Sequence, residues 1–376
     1  MGRFDELVPE HIRKLAGYTP GKPLKQAERE SGITCTKMAS NENPFGPSPR
    51  AIAAMHEAAP LVHLYPDNDA TELRALIAGR FSMRPEHVLI TGGSTQFLNI
   101  IVHSLLAPGL NAVTSERSFI VYPIATQAAG GTLKQVPMRG DTFDLDAILD
   151  AIDDKTRVVF IANPNNPTGT LLDPQAISRF LDCVPEHVLV VLDEAYYEFA
   201  EYFARRRGVD YTHSLEFVRQ ERNVVVLRTF SKAQGLAGLR VGYGFGPAEL
   251  IQYFARERTA FSISTLAEAA AIAALGDEEH IRKTAENNAA GAAWMTRKLS
   301  EMGLRVVPTW ANFLFVEIGE DAPLVARRMQ QEGVIVRPMT GVWGAPHAIR
   351  ISIGTPEQNQ QCVSVLKRVM EHAVVL

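Results

Sequence analysis

Five short apolar runs, at residues 87–91, 111–115, 158–162, 187–193 and 223–229, recur along the first two-thirds of the chain. Runs such as VVFIA and HVLVVLD are nearly unbroken Val, Ile and Leu. A strand with one wet face would alternate apolar and polar residues, so these runs read as strands covered on both faces. The segments between them, such as 96–106, 119–129 and 174–183, carry helical spacing. Strand and helix in alternation predict an α/β fold, with a mostly parallel sheet wrapped by helices. Ligands of such sheets sit beyond the carboxyl ends of the strands. Polar motifs that follow a strand are therefore the first places to look for chemistry.

At 376 residues the chain exceeds one simple core, and a second domain is expected. The texture changes after about residue 260: a helical stretch at 265–301 is interrupted at Gly276, and short strands follow at 305–307, 313–317, 334–337 and 348–353. A closing helix at 356–372 completes a smaller α+β domain. The first 45 residues hold Pro20, Pro23 and Pro44 with little periodicity, which suits an arm packed on the small domain or on a partner subunit. The expected division is an arm at 1–45, a large domain at 46–260 and a small domain at 261–376.

A formal charge of −4 leaves no electrostatic footprint for nucleic acid. No apolar run approaches the ~20 residues of a membrane span. Cys35, Cys183 and Cys362 are far apart and in no metal-ligand spacing, so neither a metal site nor a disulfide framework is expected. The opening MGRFDELVPEHIRKL has acidic residues and no apolar core. It does not read as a secretory signal, and a cytoplasmic location is expected.

The densest motif is LRTFSKAQGLAGLRVGY at 227–243, where a buried-type strand delivers Lys232 into a glycine-rich loop. That is unusual company for a solvated lysine. Asp193 ends HVLVVLD, and a carboxylate at the end of a buried strand needs a partner. It is either a helix cap or structural ion pair, or the counter-charge of a cationic ring, with Tyr196 three residues on. NPNNPTG at 163–169 has the composition of a proline-directed turn, and its two prolines frame Asn166. GGST at 92–95 joins a strand to a helix, where Ser94 and Thr95 either cap the helix or turn its N–H groups toward an anion. Arg350, in AIRISIGT, and Arg337, in VIVRPM, are either solvent-facing strand residues or clamps for a substrate carboxylate.

In this order and after these strands, the motifs resemble the class I/II aminotransferases of the pyridoxal-phosphate fold-type I superfamily, over essentially the whole chain. LAGYTPGKP, SNENPFGPSP, HLYPDNDATELR, SFIVYPIATQAAGG and GVIVRPMTG are most similar to the histidinol-phosphate aminotransferase branch. The resemblance implies that pyridoxal 5'-phosphate is the cofactor and that Lys232 is its Schiff-base lysine. Asp193 would pair with the pyridine nitrogen, while Tyr196 and Asn166 would bond the ring's phenolate oxygen. Phe119 would stack on the ring, and Ser94, Thr95, Thr229, Ser231 and Arg240 would form the phosphate cup. Tyr65 would reach the phosphate from a neighbouring subunit, which implies a homodimer with shared sites. Tyr18, Asn43, Arg337 and Arg350 would bind substrate.

Two features depart from the branch. Thr95 and Gln96 stand where an acidic pair is common, and Phe119 stands where many members carry Tyr. The expected reaction is transfer of an amino group from histidinol phosphate to 2-oxoglutarate. An aromatic amino acid as donor is the close alternative, and decarboxylation at the same carbon is a more distant one.

Overall fold

The computed structural model describes residues 2–17 and 23–371. Its thirteen strands are β1 (Thr36–Lys37), β2 (Val88–Thr91), β3 (Asn111–Ser115), β4 (Thr132–Val136), β5 (Thr156–Ala162), β6 (Leu189–Asp193), β7 (Val224–Thr229), β8 (Gly242–Phe245), β9 (Arg305–Val306), β10 (Phe313–Glu317), β11 (Val334–Ile335), β12 (Arg337–Pro338) and β13 (Ala348–Ser352). Seven of them form one sheet in the order β2-β8-β7-β6-β5-β3-β4. Every pairing among β3 to β7 is parallel, and β8 alone runs against its neighbours β2 and β7. Strands β6 and β7 are buried at every position, as their unbroken apolar sequences require. Truncating a side chain such as Phe160, fully buried in β5, would cost about 3–5 kcal/mol.

Two strands of this sheet escaped the sequence pattern. β4, TLKQV, is an edge strand with three of its five side chains polar. β8, GYGF, carries two glycines because the helix Ser94–Leu105 lies hard against it. A Cβ at Gly242 would stand 2.6 Å from the Ser94 nitrogen, and one at Gly244 would stand 2.4 Å from the Phe97 ring.

The second sheet is antiparallel, in the order β12-β13-β10-β9. The strand expected at 334–337 is two strands: β11 pairs in parallel with β1 of the arm, and β12 joins the small sheet beside β13. The arm thus contributes a strand of its own. Ala27, Cys35 and Ala39 bury against Ile335, and the Ser352 N–H donates to the Met38 carbonyl at 2.8 Å.

The long helical stretch breaks where expected, into Thr265–Leu275 and Glu278–Glu301, with Gly276 ending one helix and the Asp277 carboxylate capping the next. The two halves go different ways. Ala267, Ala270, Ala271 and Ala274 join the core of the seven-stranded sheet, where their small side chains let the helix pack closely on Pro49–Ala58. Ala292, Met295 and Leu299 join the core of the small sheet. We therefore propose that the domain boundary falls at Gly276 and Asp277, later than the expected residue 260. Among the described residues no helix is long and apolar enough to cross a membrane.

Candidate active site

The carboxyl ends of β2, β5, β6 and β7, with the start of the reversed strand β8, meet at one edge of the large sheet. There they border a cavity of about 280 Å³, closed on the other side by the arm and the small sheet.

At the end of β2 the chain turns through Gly93, at φ 89°, into the helix Ser94–Leu105. The N-cap is Gly93 itself, with no side-chain cap, so neither Ser94 nor Thr95 serves as one. Gln96 folds back so that its Oε1 accepts from the Gly92 N–H at 2.5 Å. The guanidinium of Arg240 lies over Gly93, where a Cβ would come within 2.8 Å of Nη2. Only glycine suits both the dihedral and the space. Ser231 and Thr229 stand beside it, the Thr229 hydroxyl donating to Ser231 Oγ at 3.0 Å. An uncapped helix start, two hydroxyls and a guanidinium around one corner are the donors an anion needs.

Asp193, at the tip of β6, is 4% exposed. Its carboxylate accepts from the Tyr122 hydroxyl at 3.1 Å and from the Ala195 N–H at 3.2 Å. Burial raises its pKa to about 6, against the lowering effect of those two bonds. The neighbouring Glu194 faces the other way, as strand alternation dictates, and pairs with Arg228 at 2.8 Å. Of two adjacent carboxylates, only Asp193 lines the cavity. Tyr122 itself is buried, stacked on Phe160 with ring centroids 4.7 Å apart and held edge-on to Phe119 at 5.6 Å.

Lys232 follows β7 and reaches the cavity with Nζ 3.4 Å from the Ser40 carbonyl of the arm and 5.6 Å from the Tyr196 ring centre. Desolvation and the nearby charge of Arg350 depress its pKa to about 8. A neutral amine is therefore within easy reach near neutral pH.

The far wall is the small sheet. Arg337 and Arg350 are directly paired across β12 and β13. Arg350 is buried; its Nη1 donates to Asn166 Oδ1 at 2.6 Å and its Nη2 to the Ala39 carbonyl at 2.7 Å. Arg337 lies over the face of Trp343 at 5.1 Å. Both arginines and Trp343 line the cavity, as do Asn166 and Phe119.

The sequence-predicted residues thus converge, with three exceptions. Asn43 turns away from the cavity: its amide donates to the Ala233 carbonyl at 2.8 Å and to Thr284 at 3.2 Å, behind the Lys232 loop. Tyr65 is 83% exposed on the outer surface, stacked on Phe261 at 4.6 Å. Tyr18 lies outside the described residues. Three contributors were not singled out from sequence: Asn41, which donates to the Tyr196 hydroxyl at 2.9 Å, Tyr122 and Trp343. Tyr122 left one usable signal, a tyrosine three residues after Phe119 in an otherwise apolar helix start.

Comparison with known proteins places these features. Residues 33–366 match the family model of class I and II aminotransferases. The chain is 45% identical to a histidinol-phosphate aminotransferase of Akkermansia muciniphila, over 98% of this chain and 99% of that protein. It is 44% identical to histidinol-phosphate aminotransferase 2 of Pseudomonas fluorescens, again over 98% and 99%. Among solved structures it resembles the histidinol-phosphate aminotransferase of Sinorhizobium meliloti in complex with pyridoxal-5'-phosphate, with TM-score 0.89, 30% identity and 99% of both chains covered.

Proposed function

The chain belongs to the class I and II aminotransferases, and we propose that it uses pyridoxal 5'-phosphate to move an amino group from histidinol phosphate to 2-oxoglutarate. The observation that carries the reading is Lys232, a desolvated amine whose pKa falls to about 8, held between a buried carboxylate and a pair of arginines. The relatives' activity supplies the substrate.

The residues present fit the cofactor. The uncapped start of the helix Ser94–Leu105, with Thr229, Ser231 and Arg240, offers donors for its phosphate. Asp193, costly to keep as a lone buried anion, is suited to a protonated ring nitrogen. Phe119 supplies an aromatic face, and Tyr196 and Asn166 supply polar groups on the side toward Lys232. When bound, the cofactor supplies an electron sink that stabilises negative charge at the substrate α-carbon.

The chain's own residues do the rest. Lys232 would hold the cofactor's carbonyl carbon, and as a neutral amine its Nζ is suited to take the substrate α-proton and deliver it back. Asp193 would pair with the ring nitrogen and favour its protonated form. Arg350, with its planar fork, binds an anionic group of donor and acceptor in turn, and Arg337 beside it adds a second cation. The arm covers this face and excludes water through Ala39 and Ser40. Tyr65 cannot serve its own subunit's cavity from the outer surface. Together with the exposed Leu61, Val62, Leu64 and Phe261, it supports a homodimer in which Tyr65 completes the partner's phosphate site. Tyr18 is proposed as a substrate contact, and Asn43 as support for the Lys232 loop.

The apolar side of the cavity, Phe119, Ile120 and Trp343, also favours a second donor class, the aromatic amino acids. A donor panel with 2-oxoglutarate, read as glutamate formed, separates the two. Histidinol phosphate should exceed phenylalanine and tyrosine in kcat/KM by at least about 100-fold. The reverse ranking would overturn the assignment, and carbon dioxide released without a keto acid would overturn transamination itself.

A further inference from the structure

A small closed network at the arm dictates the direction of the Tyr196 hydroxyl. The backbone N–H of Asn41 donates to Ser352 Oγ at 2.8 Å. A backbone N–H can only donate, so the serine accepts here and must place its own hydrogen elsewhere. It donates to Asn41 Oδ1 at 3.0 Å. With its oxygen committed to Ser352, the Asn41 amide turns Nδ2 toward Tyr196, whose phenol oxygen accepts at 2.9 Å. Each polarity follows from the one before it, and the amide orientation is assigned by this network. All three residues are buried, with 1% of Asn41, 5% of Ser352 and 4% of Tyr196 exposed. One lone pair of the phenol therefore faces the arm, and its hydrogen turns away from the Asn41 amide, on the side where Tyr196 lines the cavity beside Lys232.

The frame around Asn41 is specific. Its φ of 56° is a left-handed conformation that Asn tolerates better than most residues. Its carbonyl accepts from Asn312 Nδ2 at 3.0 Å, and the adjacent Ser40 carbonyl accepts from Lys232 Nζ at 3.4 Å. Ser352 lies two residues beyond Arg350 on β13, so the network ties the small sheet and the arm to a phenol of the large domain.

We propose that Asn41 and Ser352 are positioning residues, which hold Tyr196 as a hydrogen-bond donor into the cavity, toward the anionic oxygen of the cofactor ring. The proposal rests on the pyridoxal-phosphate reading above. A donor on that oxygen draws off negative charge, which weakens the oxygen's hold on a proton at the neighbouring lysine nitrogen. Turning the hydroxyl away must raise the pH at which the visible absorption of the cofactor-loaded protein changes.

The test is a spectral pH titration of the wild type, Tyr196→Phe, Asn41→Asp, Ser352→Ala and the double variant Asn41→Asp/Tyr196→Phe. Aspartate tolerates the same backbone, and its carboxylate accepts from the phenol instead of donating to it. Tyr196→Phe and Asn41→Asp should each raise the midpoint by on the order of one pH unit. Once Tyr196 is Phe, adding Asn41→Asp should shift it much less, because the effect passes through the hydroxyl. Ser352→Ala frees the amide to flip and should give a smaller rise of the same sign. If Asn41→Asp fails to fold, Ser352→Ala decides alone, and a wild-type midpoint there overturns the proposal. An equal shift from Asn41→Asp with and without the hydroxyl overturns it too, as charge alone would then explain the rise. A wild-type midpoint in Tyr196→Phe removes the phenol from the cofactor while leaving the cofactor assignment intact. Only the absence of any visible band in loaded wild-type protein would sink both.

Discussion

The cavity has two walls built on different plans. The large-sheet wall is a row of strand ends, where Asp193, Lys232 and the turn at Gly93 sit within a residue or three of buried β structure. The small-sheet wall is two arginines on short antiparallel strands, with Trp343 on a single 3-10 turn and the arm laid across them. Strands buried on both faces hold their ends rigidly, which suits groups that must meet a reacting atom in one geometry. The second wall carries charge and shape: β13 is buried at every position, but β12 is only two half-buried residues, and the 3-10 turn and the arm add short segments. We propose that the difference separates chemistry from selection: the first wall would serve any amino donor, and the second would decide which donor is accepted.

Lys232→Ala should give the largest effect. With the amine gone, turnover with every donor should fall by about 10⁴-fold or more, and the visible band of the loaded protein should disappear. A surviving band with ordinary turnover would move the chemistry out of the large-sheet wall altogether. Arg350→Lys should be smaller and of another kind. A lysine cannot hold Asn166 Oδ1, the Ala39 carbonyl and a substrate anion with one planar fork. We expect a loss of about 2–4 kcal/mol in kcat/KM, with the visible band retained. A variant that lost the band would show that the second wall is part of the cofactor site, and the division between walls would fail.

The same contrast governs what could be read from sequence. Motifs continuous with a buried strand announced themselves: HVLVVLD leads directly to Asp193, and NVVVLRT to Lys232. Where the strand itself is atypical the pattern failed, for physical reasons. Gly242 and Gly244 exist because a helix packs against their Cα atoms, and a strand emptied of β-branched residues does not read as one. Within SNENPFG the resemblance singled out Asn43, not Asn41, as the amide facing the substrate. Asn41, at φ 56°, turns into the site, and Asn43 turns behind it to the Ala233 carbonyl. That choice depends on Ser352 and Thr284, more than two hundred residues away along the chain. Tyr122 left only a faint signal for a related reason. An apolar helix start explains a buried tyrosine without any partner, and its partner Asp193 lies 71 residues on.

Tyr122→Phe should have the smallest effect, and it probes how rigid the first wall is. Asp193 has its pKa raised from 3.8 to about 6 by burial, and the Tyr122 hydroxyl works against that rise. A carboxyl with a raised folded-state pKa binds its proton more tightly when folded. In cofactor-free protein its stabilising contribution is therefore complete below about 3.8 and lost as pH rises through about 6. Removing the hydroxyl raises the folded pKa further, so the loss continues to higher pH. At pH 4, where Asp193 is protonated in both folded proteins, the variant loses little more than a neutral hydrogen bond, about 1 kcal/mol. At pH 7.5 an anion deprived of its donor should add roughly another 1 kcal/mol to that deficit. Urea unfolding of the cofactor-free proteins between pH 4 and 7.5 measures the difference. A deficit independent of pH would mean that the tyrosine contributes packing alone and that Asp193 is held by the Ala195 N–H. A deficit that grows with pH would place the Tyr122 hydroxyl on the carboxylate, as part of the wall that does the chemistry.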